Sequence, residues 1–239
     1  LEQETGRQLA KARTLALRGE VASARAILEQ IDEEVFSHQM LGMDRSLRTT
    51  WVEVATRLHA TSLISASMQR ELPLYFDEQT PAAERSRGLL LGCQLLTSAA
   101  LYEDAMRYCV AGKKLFQSQG RHGTSSQSRY VGDQREVDLL AEAGHTAAMA
   151  LGRFEDAQAF VSLHDDAAWR ATRQFELFEA QVFRHLRAIQ KEKNFRQDEV
   201  LREEADALIR FAHDMLGLEE QVIAALLLFE HTRGDAKQK

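Results

Sequence analysis

Apolar residues return at three- and four-residue intervals along most of the chain and nowhere alternate over a run long enough for a strand. Leu9, Ala12, Leu15 and Ala16 mark one side of a helix expected over 3–18, which Gly19 stops. Val21, Ala24, Ile27, Leu28 and Ile31 mark its partner over 20–34, and Phe36, Met40 and Leu41 a short helix before a break at Gly42. Asp44 then caps a long helix expected to run to about Leu72, with Leu47, Trp51, Val54, Leu58, Leu63 and Met68 on its apolar side and Pro73 ending it. Leu72-Pro73-Leu74-Tyr75-Phe76 puts large apolar groups into a connection, either as a plug between hairpins or as an exposed docking segment. Thr80, Pro81 and Glu84 read as cap, first helical position and capping-box acid of a helix reaching Ala100. Its centre, Gly88 to Leu96, is apolar on most sides, which suits a helix buried by several neighbours.

A return helix over 102–119 leads into Gly120, Gly123, Thr124, Ser125, Ser126 and Ser128, a flexible loop expected over 119–129. Helices are expected at 130–151, 153–163, 166–192, 195–216 and 218–232, with a frayed tail at 234–239. In the 166–192 helix, Ala168, Phe175, Phe178, Val182, Leu186 and Ile189 form one stripe; Arg170, Arg173, Arg184, Arg187 and Lys191 form another. The last helix carries eight apolar residues in a row, Val222 to Phe229, too many for one core-facing side.

Composition sharpens this reading. Only two prolines and 13 glycines interrupt 239 residues rich in helix formers, and hydrophobic residues at 44% are ordinary for a globular chain. The net charge of −6 argues against a sequence-independent nucleic-acid binder, which needs a basic face. The longest uncharged run, Gly88 to Leu101, is too short to span a bilayer, so no membrane role is expected. No signal-peptide pattern is visible, and a chain opening on Leu1 is expected to be a fragment of a larger protein with further domains. Cys93 and Cys109 stand almost symmetrically about Leu101 and could share one height on facing helices. They read as two small buried thiols in a reducing cytoplasm, with a redox pair as the alternative.

Three hairpin tips carry a shared pattern: Gly152, Phe154 and Ala157; Ala100, Tyr102 and Ala105; Gly19, Val21 and Ala24. A helix ends at a small residue, a seam residue follows two positions on, and an alanine three further packs between the helices. This resembles the tetratricopeptide repeat, with valine replacing the aromatic in the first copy. The resemblance implies an all-α fold, antiparallel hairpins stacked as a right-handed superhelix (an α-solenoid), over a single domain at 1–239. It departs from the family in that the three alanines are not spaced by multiples of about 34 residues and no proline ends each repeat. Gly217 would open a fourth copy, but Val222 stands where the small residue belongs. Residues facing inward by this mapping, Leu9 and Arg13, Leu90 and Gln94, Glu142 and Thr146, do not resemble the lysine- and asparagine-rich clamp that holds chaperone tails.

Catalytic signals are sparse. No phosphate-binding glycine loop, nucleophile elbow or cysteine-rich zinc pattern occurs. Glu142-Ala143-Gly144-His145 has the Glu-x-x-His spacing of di-iron bundles, without the second copy such a site needs; His145 reads as a packed residue. In His164-Asp165-Asp166 one aspartate reads as a helix cap rather than a metal ligand. The expectation is a non-catalytic scaffold with no cofactor and no metal, binding an acidic or amphipathic protein or peptide. Its contact candidates are Arg170, Arg173, Arg184, Arg187 and Lys191, the segment with Tyr75 and Phe76, and Leu227 and Phe229 of the last helix. The alternatives are a sensor that closes on a small ligand or signal peptide and controls an attached domain, and a scaffold that homodimerises through the last helix.

Overall fold

The structure is a computed structural model that describes residues 2–37, 45–120 and 134–191. The described residues are all-helical, in nine α-helices: α1 (Glu2–Leu17), α2 (Val21–Ser37), α3 (Arg45–Arg57), α4 (Thr61–Glu71), α5 (Ala82–Ser98), α6 (Tyr102–Gly120), α7 (Gln134–Ala150), α8 (Phe154–Val161) and α9 (Ala167–Lys191), with a 3-10 turn at Leu72–Tyr75. The chain divides into two compact units, 1–153 and 154–239, a boundary that hydrophobic periodicity does not mark. The expected loop at 119–129 lies, from residue 121 on, outside the described residues, as do the helices expected beyond 191; residues 119 and 120 close α6 instead.

One turn recurs four times. After α1, α3, α5 and α7 a single residue takes a left-handed conformation: Gly19 (φ 79), His59 (φ 52), Ala100 (φ 58) and Gly152 (φ 68). Its N–H donates to the carbonyl three residues back, in Gly19 to Ala16 (3.1 Å), His59 to Thr56 (3.0 Å), Ala100 to Thr97 (3.1 Å) and Gly152 to Met149 (3.0 Å). The next N–H donates to the carbonyl five back, in Glu20 to Leu15, Ala60 to Ala55, Leu101 to Leu96 and Arg153 to Ala148, all at 2.9 Å. This is the Schellman arrangement, which satisfies two otherwise orphaned carbonyls at a helix end. In the first three turns the residue after the left-handed one also accepts the first bond of the next helix, as in Ala24 N–H to Glu20, Ile64 to Ala60 and Ala105 to Leu101. Each connection is thereby held to the minimum length.

The turn at His59 corrects the expected long helix from Asp44 to Leu72, which is two helices, α3 and α4. No glycine or proline announces it. The hydrogen-bond gain of the Schellman turn and the packing of α4 outweigh the steric cost of a left-handed histidine, about 1–2 kcal/mol. The capping box at α5 is also corrected. Pro81 is the residue preceding the helix (φ −54, ψ 137), with no side-chain cap. Thr80 instead donates its hydroxyl to the Leu74 carbonyl at 2.9 Å, closing the segment from 74 to 80.

In the first unit α1 packs on α3, α3 on α5, and α5 on α7. Helix α2 packs on α1 and α3, α6 packs on α5 and α7, and α4 packs on α3 and the 3-10 turn. Helix α5 therefore meets α3, α6, α7 and the 3-10 turn, which explains an apolar sequence on most of its sides. Its Leu89 and Leu96, with Trp51 on α3, Met106 and Phe116 on α6 and Leu140 on α7, are all but excluded from water. Val21 departs from the expected stripe: it is 48% exposed, so the first tip has no covered seam residue where the second and third expect an aromatic.

Two glycines one turn apart on α5 admit two tyrosines. A Cβ on Gly88 would lie inside the Tyr75 ring, and one on Gly92 inside the Tyr108 ring. The rings meet edge to face with centroids 6.3 Å apart. Directly after Gly92 and Tyr108 come Cys93 and Cys109, joined in a disulfide with Cα atoms 5.1 Å apart. This corrects the reading as two free thiols. Their symmetric placement about the tip put them at one height, as expected, and the small residues on both helices bring the backbones within disulfide range.

In the second unit α8 packs on α9, with Ala157, Phe160, Val161, Leu177 and Phe178 buried.

Candidate functional site

Among the described residues, a buried polar cluster lies inside the first unit. Asp32 (α2), Arg48 (α3), Ser67 and Glu71 (α4), Tyr75 (the 3-10 turn) and Tyr108 (α6) are all buried. Each acquires its position from helical spacing: Asp32 is four residues past Leu28, Arg48 three before Trp51, Glu71 three past Met68, and all three partners are core residues. A charge on an apolar stripe was the available signal, and counting only apolar positions misses it.

Arg48 is the hub. One terminal nitrogen donates to Ser67 Oγ at 2.9 Å and the other to Glu71 Oε2 at 2.6 Å. Its guanidinium carbon lies 5.6 Å from the Trp51 ring centroid. Trp51 in turn donates its indole N–H to the Leu28 carbonyl at 3.1 Å. The Ser67 hydroxyl donates a hydrogen bond to Asp32 Oδ1, and Arg70 donates to Asp32 Oδ2. Tyr75 donates to Glu71 Oε1. Tyr108 donates to the Met68 carbonyl at 2.6 Å. Two carboxylates thus face two guanidinium groups, and every carboxylate oxygen accepts a hydrogen bond. Burial, with the Glu71 charge added, holds both tyrosine hydroxyls well above the ordinary phenol range, so both stay protonated donors.

This set joins α2, α3 and α4 to one another. Ser67 has a carboxylate partner and no imidazole, and it is sealed from solvent. Among the described residues no three His, Cys, Asp or Glu side chains group as a metal site. No described helix is long and apolar enough to cross a membrane.

The surface candidates fare differently. Tyr75 is buried rather than presented at the surface: its ring seats on Gly88 and its hydroxyl donates to Glu71. Phe76, its neighbour, is 59% exposed. On α9 the described arginines already have protein partners. Arg170 donates to the His164 and Asp165 carbonyls at 2.6 and 2.8 Å, tying the α8–α9 connection to α9. Arg173 pairs with Glu176 at 2.6 Å and lies 5.6 Å from the Trp169 ring, which stacks on His164 at 4.1 Å. Arg184 lies over Phe154 at 5.4 Å. The Arg187 and Lys191 side chains, and Leu227 and Phe229, lie outside the described residues. Asp166 caps α9 as expected, accepting from Ala168 N–H at 2.8 Å and Trp169 N–H at 3.2 Å. The bonds from Trp169 and then Ala168 hold its carboxyl below the usual range.

No family model, curated protein or solved structure matches this chain.

Proposed function

We propose that the chain is a tetratricopeptide-like helical-repeat scaffold that binds a protein or peptide and does no chemistry of its own. The observation that carries this reading is the repeated turn: four helix ends with one hydrogen-bond pattern, followed by alternate helices that pack each on the next. Such repetition builds an extended surface from local contacts, and proteins of that design act by presenting it. The polar residues support the same reading, since the buried set is spent on joining α2, α3 and α4.

Two surfaces are offered to the partner. Phe76 stands exposed beside Leu72 and Leu74 on the first unit, and the arginine stripe of α9 would receive carboxylates on the second. The test is capture from the natural host's extract on immobilised wild-type chain, on Phe76→Asp and on Arg184→Glu/Arg187→Glu, read by mass spectrometry. A protein held by the wild type and lost from one folded variant supports the scaffold and locates its surface. Identical retention on all three baits would reject both surfaces.

A further inference from the structure

We propose that Cys93–Cys109 is a permanent structural cross-link, installed by a disulfide donor while the chain folds, and that the protein therefore matures in an oxidising compartment. This departs from the cytoplasmic setting expected of free thiols.

Three observations carry it. Both residues have 0% exposure, at the interior contact of α5 and α6. They are flanked by a second tight fit, the Tyr108 ring on Gly92, so the two helices leave no approach to either sulfur along this seam. The two cysteines of residues 1–239 are both in this bond, so no third thiol within this stretch stands beside it to reopen it. A reversible switch needs an accessible thiolate or a resolving cysteine beside it. This bond has neither.

The chemistry fixes the order of events. The thiolate of one cysteine attacks the donor's disulfide and releases one donor thiol, giving a mixed disulfide. The second cysteine then displaces the other donor sulfur. Two thiols of this chain lose two protons and two electrons, and the donor disulfide is reduced to a dithiol. A mixed disulfide cannot be accommodated where both sulfurs are enclosed. Oxidation must precede the closing of α5 on α6, and once they close the bond is sealed.

The experiment uses the full-length protein taken from its natural host, quenched in acid and alkylated with a maleimide, then weighed by mass spectrometry. Read on the peptides that carry them, neither Cys93 nor Cys109 should be labelled in urea without reductant, and both should be in urea after reduction. Labelling of Cys93 and Cys109 in unreduced, urea-treated protein would overturn the proposal. A second arm exposes the native protein to dithiothreitol, with and without urea. Reduction should be at least about tenfold slower in the native state, because it waits on opening of the hairpin. Equal rates would show an accessible bond and overturn its permanence.

Discussion

Arg48 meets Glu71 at 2.6 Å with both side chains almost completely out of water, and the same guanidinium reaches Ser67, which holds Asp32. Three helices are joined through one cation. The pair's net worth is small, since desolvation offsets most of its attraction, but an unpartnered buried charge is expensive. Arg48→Met should therefore destabilise the protein by about 3–5 kcal/mol in urea unfolding. Adding Glu71→Gln and Asp32→Asn to it should recover part of that loss. A triple variant no more stable than Arg48→Met would show that packing, not charge, is what Arg48 supplies.

Gly92→Ala sets two effects against each other. Alanine favours helix over glycine by about 1 kcal/mol. The added methyl falls inside the Tyr108 ring, whose hydroxyl is anchored on the Met68 carbonyl and which cannot swing away freely. Overpacking of about 1–3 kcal/mol should win, giving a lower melting temperature. Gly92→Ala combined with Tyr108→Leu should lose less than the two single changes added together. Strict additivity would mean that the ring does not need the glycine.

The left-handed positions make an opposite prediction. Ala100 and His59 are exposed side chains in a conformation that penalises a Cβ. Ala100→Gly and His59→Gly should each stabilise by about 0.5–1 kcal/mol, the relief of strain exceeding the extra freedom gained by the unfolded chain. Gly152→Ala should destabilise by a similar amount. Nothing lies within 4 Å of the added methyl, so its effect reports backbone conformation alone. Equal melting temperatures across the three would contradict the turn geometry.

Asp166 gives the α9 start a pH dependence. Its carboxyl is held below 3.8 by the backbone N–H groups of Trp169 and Ala168, so the folded state binds its proton less readily than the unfolded state. Its contribution is complete above the ordinary carboxylate range and is lost as pH falls through the lowered folded value. The melting-temperature gap between wild type and Asp166→Ala should be constant near neutrality and narrow below about pH 4. A gap that widened on acidification would reverse the sign of this assignment.

The helical nature of the chain and three of its turns were legible because Gly19, Ala100 and Gly152 are small and stand between strong helical stripes. The fourth was not, because His59 looks like an ordinary helix residue and only the hydrogen bonds of Ala60 and His59 reveal the break. The polar interior escaped for a related reason. Asp32, Arg48 and Glu71 interrupt apolar stripes singly, and a lone charge reads as surface until its partners from other helices are known. Gly88 and Gly92 read as weak points of an apolar helix; the rings they admit come from elsewhere in the chain. On the surface, the arginine stripe was visible, while the bonds from Arg170 to the His164 and Asp165 carbonyls depend on how the backbone turns between α8 and α9.

The web around Arg48 also sets how the first unit breathes. Helix α4 is short and would ordinarily detach by itself in brief local openings. Its Ser67 and Glu71, however, hold the cation of α3 and, through Ser67, the carboxylate of α2. Lifting α4 alone would strand Arg48 and Asp32 without their partners, so the cheaper opening releases all three helices together. Amide hydrogens in α2, α3 and α4 should then exchange with deuterium at one shared free energy, and this stretch behaves as a single cooperative block within a fold whose contacts are otherwise local.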